Sequence, residues 1–266
     1  GAILQQRGVH FSTVAFPGFS ASLAMPEELE GPGAVLYLHG GGYCCGGASY
    51  ARGFGSQLAT VTGLPVLCPA YRLAPEAPFP AALQDTDAVF HWVMAHAVDY
   101  HFDTRHVFAV GDSAGANILG LYAARCADPE AANIPVTPPP GFVPTALALN
   151  CGQYCISRGQ KGLIAHLLPD ILPDGGTDAE LHAMDVTAHV TGRYPPCFVM
   201  TANNDFLKEQ APLMTAALEH CGVPCMYRCY GDETQKLGHV FHCNIRAEAA
   251  QNCNTEECGF FKRFME

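Results

Sequence analysis

A serine flanked by two glycines, in the run Gly-Asp-Ser-Ala-Gly at residues 111–115, is the most chemically suggestive segment of the sequence. The apolar run Val107–Val110 predicts a strand before it, and Ala114–Ala127 predicts a helix after it. Glycines on both sides permit a tight strand-to-helix turn, which raises Ser113 above the sheet edge as a nucleophile. The N–H of Ala114, at the start of the helix, then faces an oxyanion that develops on an attacked carbonyl.

A second glycine run, His-Gly-Gly-Gly at residues 39–42, follows the predicted buried strand Ala34–Leu38. Without side chains at Gly41 and Gly42, the backbone can approach a substrate carbonyl and offer further N–H donors. These two glycines, together with the first residue of the predicted helix, form the predicted oxyanion hole.

A serine nucleophile requires a base and an acid, and both are expected near later strand ends. Asp205 and His239 satisfy this order in the second half of the chain. Twelve histidines are present, so His242 remains an alternative base, and Asp232 remains an alternative acid. Asp112, adjacent to the serine, is expected to turn its side chain away and to make local hydrogen bonds.

The elements that must position these residues alternate between strands and helices from residue 34 onward, which predicts a mainly parallel sheet with helices on both faces. The first two predicted strands form a hairpin around a Pro-Gly turn. The predicted strands are Val9–Phe16, Phe19–Met25, Ala34–Leu38, Leu64–Ala70, Val107–Val110, Thr145–Leu149, Cys197–Ala202 and Pro224–Tyr230. The predicted helices are Pro80–Val98, Ala114–Ala127, Glu209–His220 and Thr255–Met265, the last capped by Asn254 or Thr255.

Taken together, these segments resemble the hormone-sensitive-lipase family of α/β-hydrolases, which includes many bacterial carboxylesterases and acetyl esterases. The resemblance extends from about residue 34 to residue 241, and no single segment would be specific alone. The matching segments are residues 37–43 (YLHGGGY), 71–76 (YRLAPE), 79–83 (FPAAL), 111–117 (GDSAGAN), 204–207 (NDFL) and 238–241 (GHVF).

The resemblance implies an α/β-hydrolase fold and a serine carboxylesterase that needs neither a metal nor an organic cofactor. The implied roles are Ser113 as nucleophile, His239 as general base and then acid, Asp205 as the group that orients His239, Gly41, Gly42 and Ala114 as oxyanion donors, and Arg72 and Glu76 as structural residues behind the site.

The sequence departs from the family at its start, where members usually carry some tens of residues that form part of a lid. Only 38 residues precede His39 here, and they predict a hairpin. We therefore expect a single domain over residues 1–266 with a reduced lid and a lid-like insertion around residues 152–190. Such an open site predicts a preference for esters of short acyl chains.

Composition excludes several classes of protein. Hydrophobic residues make up 49% of the 266 residues and charged residues 15%, which excludes a disordered chain. The net charge of −11 argues against binding to nucleic acid. The partner that the resemblance implies is a small-molecule ester. No apolar run is long enough for a membrane span, and the first residues lack a signal-peptide pattern, so a cytoplasmic location is expected. An edge strand near the C-terminus allows a monomer or a homodimer.

The thirteen cysteines are the unusual feature of the composition. Most lie in apolar runs, where a free thiol behaves as a small buried hydrophobe. A zinc site is not expected, because no Cys-x-x-Cys pair is present and the cysteine-containing run at residues 225–229 predicts a strand. The cysteine and histidine set considered for zinc is Cys221, Cys225, Cys229, His239, His242 and Cys243. Near the glycine run, Tyr43 and Cys44 are interpreted as candidate substrate contacts.

Two alternatives to a carboxylesterase remain open at this level. An arylformamidase or amidase can use the same three residues and a similar glycine loop. A non-catalytic ligand-binding relative is the other alternative, although such relatives lack the histidine that is present here as His239.

Overall fold

An eight-stranded sheet forms the centre of the protein, in a computed structural model that describes residues 5–159 and 163–265. The strand order is β1-β2-β4-β3-β5-β6-β7-β8, with β1 and β2 antiparallel and β3 to β8 parallel. The strands are β1 Val9–Phe16, β2 Phe19–Pro26, β3 Ala34–Leu38, β4 Val66–Pro69, β5 Val107–Asp112, β6 Ala146–Asn150, β7 Cys197–Ala202 and β8 Cys225–Tyr230. The predicted hairpin and the mainly parallel sheet are confirmed.

The central strands are buried on both faces, as expected for a parallel sheet covered by helices. Every residue of β3, β5, β6 and β7 is buried. Along β5, Val107 and Ala109 contribute to one apolar core, whereas Phe108 and Val110 contribute to the other. This alternation explains why the strands appear in the sequence as continuous apolar runs.

Helices cover both faces of the sheet. The helices are α1 Ala48–Thr62, α2 Ala81–Ala95, α3 Ala114–Ala127, α4 Leu163–Ile171, α5 Asp178–Met184, α6 Gln210–His220 and α7 Glu248–Lys262. Side chains of α1 and α7 belong to one core, and those of α2, α3 and α6 belong to the other. Within the described ranges, no helix is long and apolar enough to cross a membrane.

Two helices differ from the sequence prediction. Helix α1 was not predicted, because Gly53 and Gly55 lower the helical propensity of its segment. Helix α7 begins at Glu248, so the predicted start near residue 255 is wrong. Asn254 lies inside the helix rather than at its cap, and its side-chain N–H donates to the carbonyl of His242 at 3.1 Å. A tertiary hydrogen bond, and not a capping interaction, therefore explains this residue.

The irregular segment predicted around residues 152–190 contains two short helices, α4 and α5, and a 3₁₀ helix at Val186–His189. Helix α5 begins with a capping box, in which Thr177 and Glu180 satisfy each other's backbone N–H groups. Helix α4 packs close to the glycine loop, since a Cβ on Gly42 would lie 3.0 Å from Leu167 Cδ1. The segment therefore adjoins the carboxyl ends of the parallel strands, where binding sites of such sheets form.

Candidate active site

The predicted nucleophile turn connects β5 to α3 and holds Ser113 in a strained conformation with φ of 53°. The flanking glycines make this turn possible. A Cβ on Gly111 would lie 2.6 Å from the carbonyl oxygen of Gly115, and one on Gly115 would lie 2.6 Å from that of His39. Real Cβ contacts are not this short, so the steric reason for both glycines is visible in the packing.

The glycine loop after β3 lies directly against the nucleophile turn. A Cβ on Gly40 would be 3.0 Å from Ser113 Cβ. Gly41 and Gly42 have φ of 129° and 59°, which glycine adopts without strain. Ala114 is the first residue of α3, and N–H groups in a first helical turn have no acceptor within their helix. All three predicted oxyanion donors thus belong to segments that meet at Ser113.

Ser113, His239 and Asp205 form a continuous hydrogen-bonded chain. The Ser113 hydroxyl lies 3.0 Å from His239 Nε2, and His239 Nδ1 lies 2.7 Å from Asp205 Oδ1. With Nδ1 protonated, the imidazole donates to the carboxylate and accepts from the serine. The three residues follow β5, β7 and β8, and the parallel sheet brings those strand ends to one edge.

Two asparagines join the loop of the acid to the loop of the histidine. The Asn204 N–H donates to the Leu237 carbonyl at 3.0 Å, next to an isolated parallel bridge between Asn204 and Gly238. Asn203 Oδ1 accepts from the Leu237 N–H at 2.9 Å. These contacts restrain Asp205 and His239 relative to each other, although 33 residues separate them in the sequence.

Asp205 is held as a carboxylate by several donors. Burial raises the pKa of Asp205, but the hydrogen bond from His239 and the Leu207 N–H, at 2.8 Å, outweigh it, and the pKa falls below its usual range. Thr201 Oγ1 donates to the second oxygen at 3.0 Å. The Cys151 thiol also faces this carboxylate, and burial followed by the Asp205 charge raises the pKa of that thiol. Asp205 is therefore fixed in position and remains ionised at neutral pH.

A cavity of about 230 Å³ opens beside the serine. Its lining includes Gly41, Gly42, Ser113, Ile164, Phe206 and His239. Phe206 is 61% exposed, and its ring centroid lies 4.3 Å from that of His239. The walls are mainly apolar and the polar groups gather at the serine, which suits a small neutral molecule with one reactive polar group.

Tyr43 and Cys44, the predicted substrate contacts, do not belong to this lining among the described residues. Tyr43 is buried with φ of 66° and lines a much smaller cavity together with Arg72 and Asn117. Cys44 is half-buried, and its N–H donates to the Gly41 carbonyl at 3.2 Å. Both residues belong to the turn at residues 41–45 that contains Gly41 and Gly42. Their proximity in sequence to the loop does not bring their side chains into the cavity.

The alternative base and acid occupy other environments. His242 is fully buried, and its Nε2 faces Asp112 Oδ1 at 2.9 Å. Asp232 is exposed and accepts hydrogen bonds from Thr234 and Gln235 in its own turn. The expectation that Asp112 makes local hydrogen bonds is wrong, because its partners come from distant parts of the chain.

The cysteines considered for zinc do not come together. Among the described residues, Cys221, Cys225 and Cys229 belong to no group of three metal-binding side chains. His242 and Cys243 do converge, but with Asp112, and His239 converges with Asp205 and Cys151. Cys221 follows the last residue of α6, and Cys225 and Cys229 lie in β8, so the three evenly spaced cysteines belong to two different elements.

Several residues at the site carried no signal in the sequence. Thr201, Asn203 and Ile164 lie next to the hydrogen-bonded chain or the cavity, yet none belongs to a matching segment. Phe206 belongs to the matching segment at residues 204–207, but the segment assigns it no role. For Asn203, two residues before Asp205, proximity to the predicted acid is the available indication.

Comparison with known proteins places the chain in a family. The family model described as alpha/beta hydrolase fold matches residues 35–243, and the chain therefore belongs to this family. The resemblance to the hormone-sensitive-lipase group and the predicted fold class are confirmed.

Curated relatives carry esterase names. The chain is 30% identical over 203 residues to carboxylesterase NlhH of Mycobacterium tuberculosis, covering 69% of this chain and 60% of that protein. It is 39% identical over 103 residues to esterase LipI of the same species, covering 39% of this chain and 32% of that protein. The chain thus matches less than two thirds of the length of each of these relatives.

Solved structures agree on the fold. Esterase B from Lactobacillus rhamnosis superposes with a TM-score of 0.87 at 24% identity, covering 98% of this chain and 87% of that one. An esterase/lipase from an uncultured bacterium superposes with a TM-score of 0.82 at 22% identity, covering 99% and 87%.

Proposed function

We propose that this chain is a serine carboxylesterase that hydrolyses small, neutral esters with short acyl chains through an acyl-enzyme on Ser113. The observation that carries the proposal is the Ser113–His239–Asp205 hydrogen-bonded chain, which ends at the serine in an apolar cavity. The esterase names of the relatives support the same class of reaction.

Acylation begins when the Ser113 oxygen attacks the ester carbonyl while His239 accepts its proton. Asp205 stabilises the resulting imidazolium through the 2.7 Å contact with Nδ1. The N–H groups of Gly41, Gly42 and Ala114 donate to the tetrahedral oxyanion, each contributing roughly 3 kcal/mol to stabilisation of the transition state.

Acylation ends when the protonated His239 gives its proton to the departing alcohol, and water enters the vacated space. Deacylation then repeats the same steps with this water. The imidazole removes a proton from this water as it attacks the acyl carbonyl, and collapse of the second tetrahedral intermediate returns the proton to Ser113. The carboxylic acid then leaves, and no group outside the chain is consumed except water.

The size of the cavity supports short acyl chains. Its volume of about 230 Å³ is below the roughly 300–1,000 Å³ typical of pockets for drug-sized ligands. Ile164 of α4 contributes to its wall, which supports a lid-like role for the insertion around residues 152–190. A series of nitrophenyl esters of increasing acyl length tests the preference, and a maximum rate for long chains would contradict it.

Labelling with a fluorophosphonate, followed by peptide mass analysis, tests the nucleophile. We expect covalent modification of Ser113, no modification in Ser113→Ala, and full modification in the control Ser157→Ala, whose serine is exposed and does not line the cavity. Failure of the wild type to react would favour a non-catalytic ligand-binding protein. Labelling combined with faster hydrolysis of formamides or amides than of matched esters would favour an arylformamidase or amidase.

A further inference from the structure

The carboxylate next to the nucleophile, Asp112, is buried and surrounded by donors from distant segments. Tyr37 Oη donates to its Oδ2 at 2.5 Å, His242 Nε2 donates to Oδ1 at 2.9 Å, and the Cys243 thiol donates to Oδ2 at 3.3 Å. Only 1% of the surface of Asp112 is exposed, so water does not compete for these hydrogen bonds.

Each donor belongs to a segment that carries one part of the candidate active site. Tyr37 lies in β3, two residues before the glycine loop begins at His39. His242 and Cys243 form most of the 3₁₀ helix that follows His239. Asp112 itself is the last residue of β5 and precedes Ser113. One carboxylate therefore connects the oxyanion segment, the histidine segment and the nucleophile.

Asn150 extends these contacts to the backbone of the nucleophile. Its Nδ2 donates to Asp112 Oδ1 at 3.3 Å, and its carbonyl oxygen accepts from the Ser113 N–H at 2.8 Å. The strained φ of Ser113 is thus restrained from two sides, through the backbone and through the neighbouring side chain.

Asp112 and His242 each favour the charged state of the other. Burial raises the pKa of Asp112, but the charge and hydrogen bond of His242 outweigh it, and the pKa lies below its usual range. Burial lowers the pKa of His242, and Asp112 outweighs this in turn, so the pKa is raised. An ion pair of low mobility, enclosed beneath the serine, suits a fixed anchor better than a group that exchanges protons during turnover.

We propose that Asp112, Tyr37 and His242 are positioning residues that hold the glycine loop, the His239 segment and Ser113 in catalytic alignment. This inference rests on the proposed esterase function. A misplacement of about 1 Å in such an array costs roughly 100-fold in rate, whereas binding of the substrate in its apolar cavity is affected less.

Two tyrosines provide a matched test. Tyr37 and Tyr122 are both buried, and each donates a hydrogen bond to an aspartate, Tyr122 of α3 to Asp87 of α2 at 2.9 Å. We expect Tyr37→Phe to lower kcat by roughly 10-fold to 100-fold with little change in KM, and to slow fluorophosphonate labelling in proportion. Tyr122→Phe should leave both rates within about twofold, with a similar loss of thermal stability.

A second pair of variants at Cys243 covers the case in which Tyr37→Phe does not fold. Cys243→Ser keeps a donor to Asp112 and Cys243→Ala removes it, so we expect the serine variant to keep more of kcat than the alanine variant. Equal kcat losses in Tyr37→Phe and Tyr122→Phe, or in the two Cys243 variants, would overturn the inference. A wild type that neither labels nor hydrolyses esters would instead overturn the proposed function.

Discussion

Two aspartate–histidine pairs lie close to Ser113, and they differ in exposure to solvent rather than in hydrogen-bond distance. The pair facing the cavity, Asp205 and His239, has an N···O distance of 2.7 Å, and the buried pair, Asp112 and His242, has 2.9 Å. The side chain of His239 is 19% exposed, and that of His242 is not exposed. Distance alone therefore does not distinguish the proposed base from the proposed anchor.

The difference lies in what the second imidazole nitrogen contacts. His239 Nε2 reaches the serine hydroxyl at the edge of the cavity, where a proton can be passed to a substrate. His242 uses Nε2 for Asp112, its Nδ1 has no hydrogen-bond partner among the described residues, and its ring packs edge-on against Phe54 in the core. In the proposed function the same two residue types serve acid–base chemistry in one position and alignment in the other, and the variants below separate these roles.

The largest effect is expected for His239→Ala. Loss of the base should lower kcat by roughly 10⁶-fold, as for removal of a comparable residue from a serine protease, while the midpoint of thermal unfolding changes little. Hydrolysis of a nitrophenyl acetate and a thermal melt measure the two quantities. More than about one percent of the wild-type kcat in this variant would assign the base elsewhere.

His242→Ala should combine a large loss of stability with a loss of kcat that is smaller than in His239→Ala, because His242 positions the catalytic groups through Asp112. Removal of the imidazole leaves the Asp112 charge buried without a counter-charge, which costs roughly 3–5 kcal/mol in the free energy of unfolding. Urea denaturation measures the loss. The double variant His242→Gln with Asp112→Asn serves as the control, because removing both charges should cost less than the sum of the single changes. An unchanged urea midpoint in His242→Ala would contradict a charged anchor.

The pair facing the cavity could be predicted from the sequence, and the buried pair could not. Ser113 is marked by glycines that sterics demand, and Asp205 and His239 follow strands with clear apolar patterns. Asp112, in contrast, gathers its contacts from Tyr37 and His242, which no local pattern connects. Only the three-dimensional register of the sheet brings these residues together.

The same limit applies to other residues. The position of Tyr43 directly after the glycine loop predicts a substrate contact, but its side chain is buried and its φ is 66°, which the sequence does not indicate. Asn254 was assigned to a helix cap on its residue type, whereas it binds the carbonyl of His242 from within α7. Residue type predicts the hydrogen bonds that a side chain can make, but the partner depends on packing across the sheet.

Glu257 of α7 is a third ionisable group, and its charge interacts with the buried pair of Asp112 and His242. Burial raises its pKa from 4.5 to about 7, with His242, Asp112 and Asn150 as its nearest polar neighbours. Because the folded pKa exceeds the unfolded value, the stability from protonated Glu257 is complete below about pH 4.5 and is lost as the pH rises through about 7.

Glu257→Gln should therefore be more stable relative to the wild type at pH 8 than at pH 5, by roughly 1–3 kcal/mol. The amide keeps an acceptor for Asn150, so the change isolates the charge. Urea denaturation at a series of pH values measures the difference between the two proteins, which cancels the contribution of other groups. A difference that does not vary between pH 5 and pH 8 would place the titration of Glu257 outside this window.

The smallest effect is expected for Phe206→Ala, which alters only the surroundings of the exposed histidine. The ring of Phe206 lies over His239 and contributes to the cavity wall, so its loss should raise KM by a few-fold, equivalent to roughly 0.5–1.5 kcal/mol. Stability should change little because the side chain is 61% exposed. Leu213→Ala, at another exposed apolar residue, is the matched control and should leave KM unchanged. If Phe206→Ala lowered kcat and left KM unchanged, the ring would act on the orientation of His239 and not on the substrate. The exposed histidine would then depend on an aromatic neighbour for its orientation.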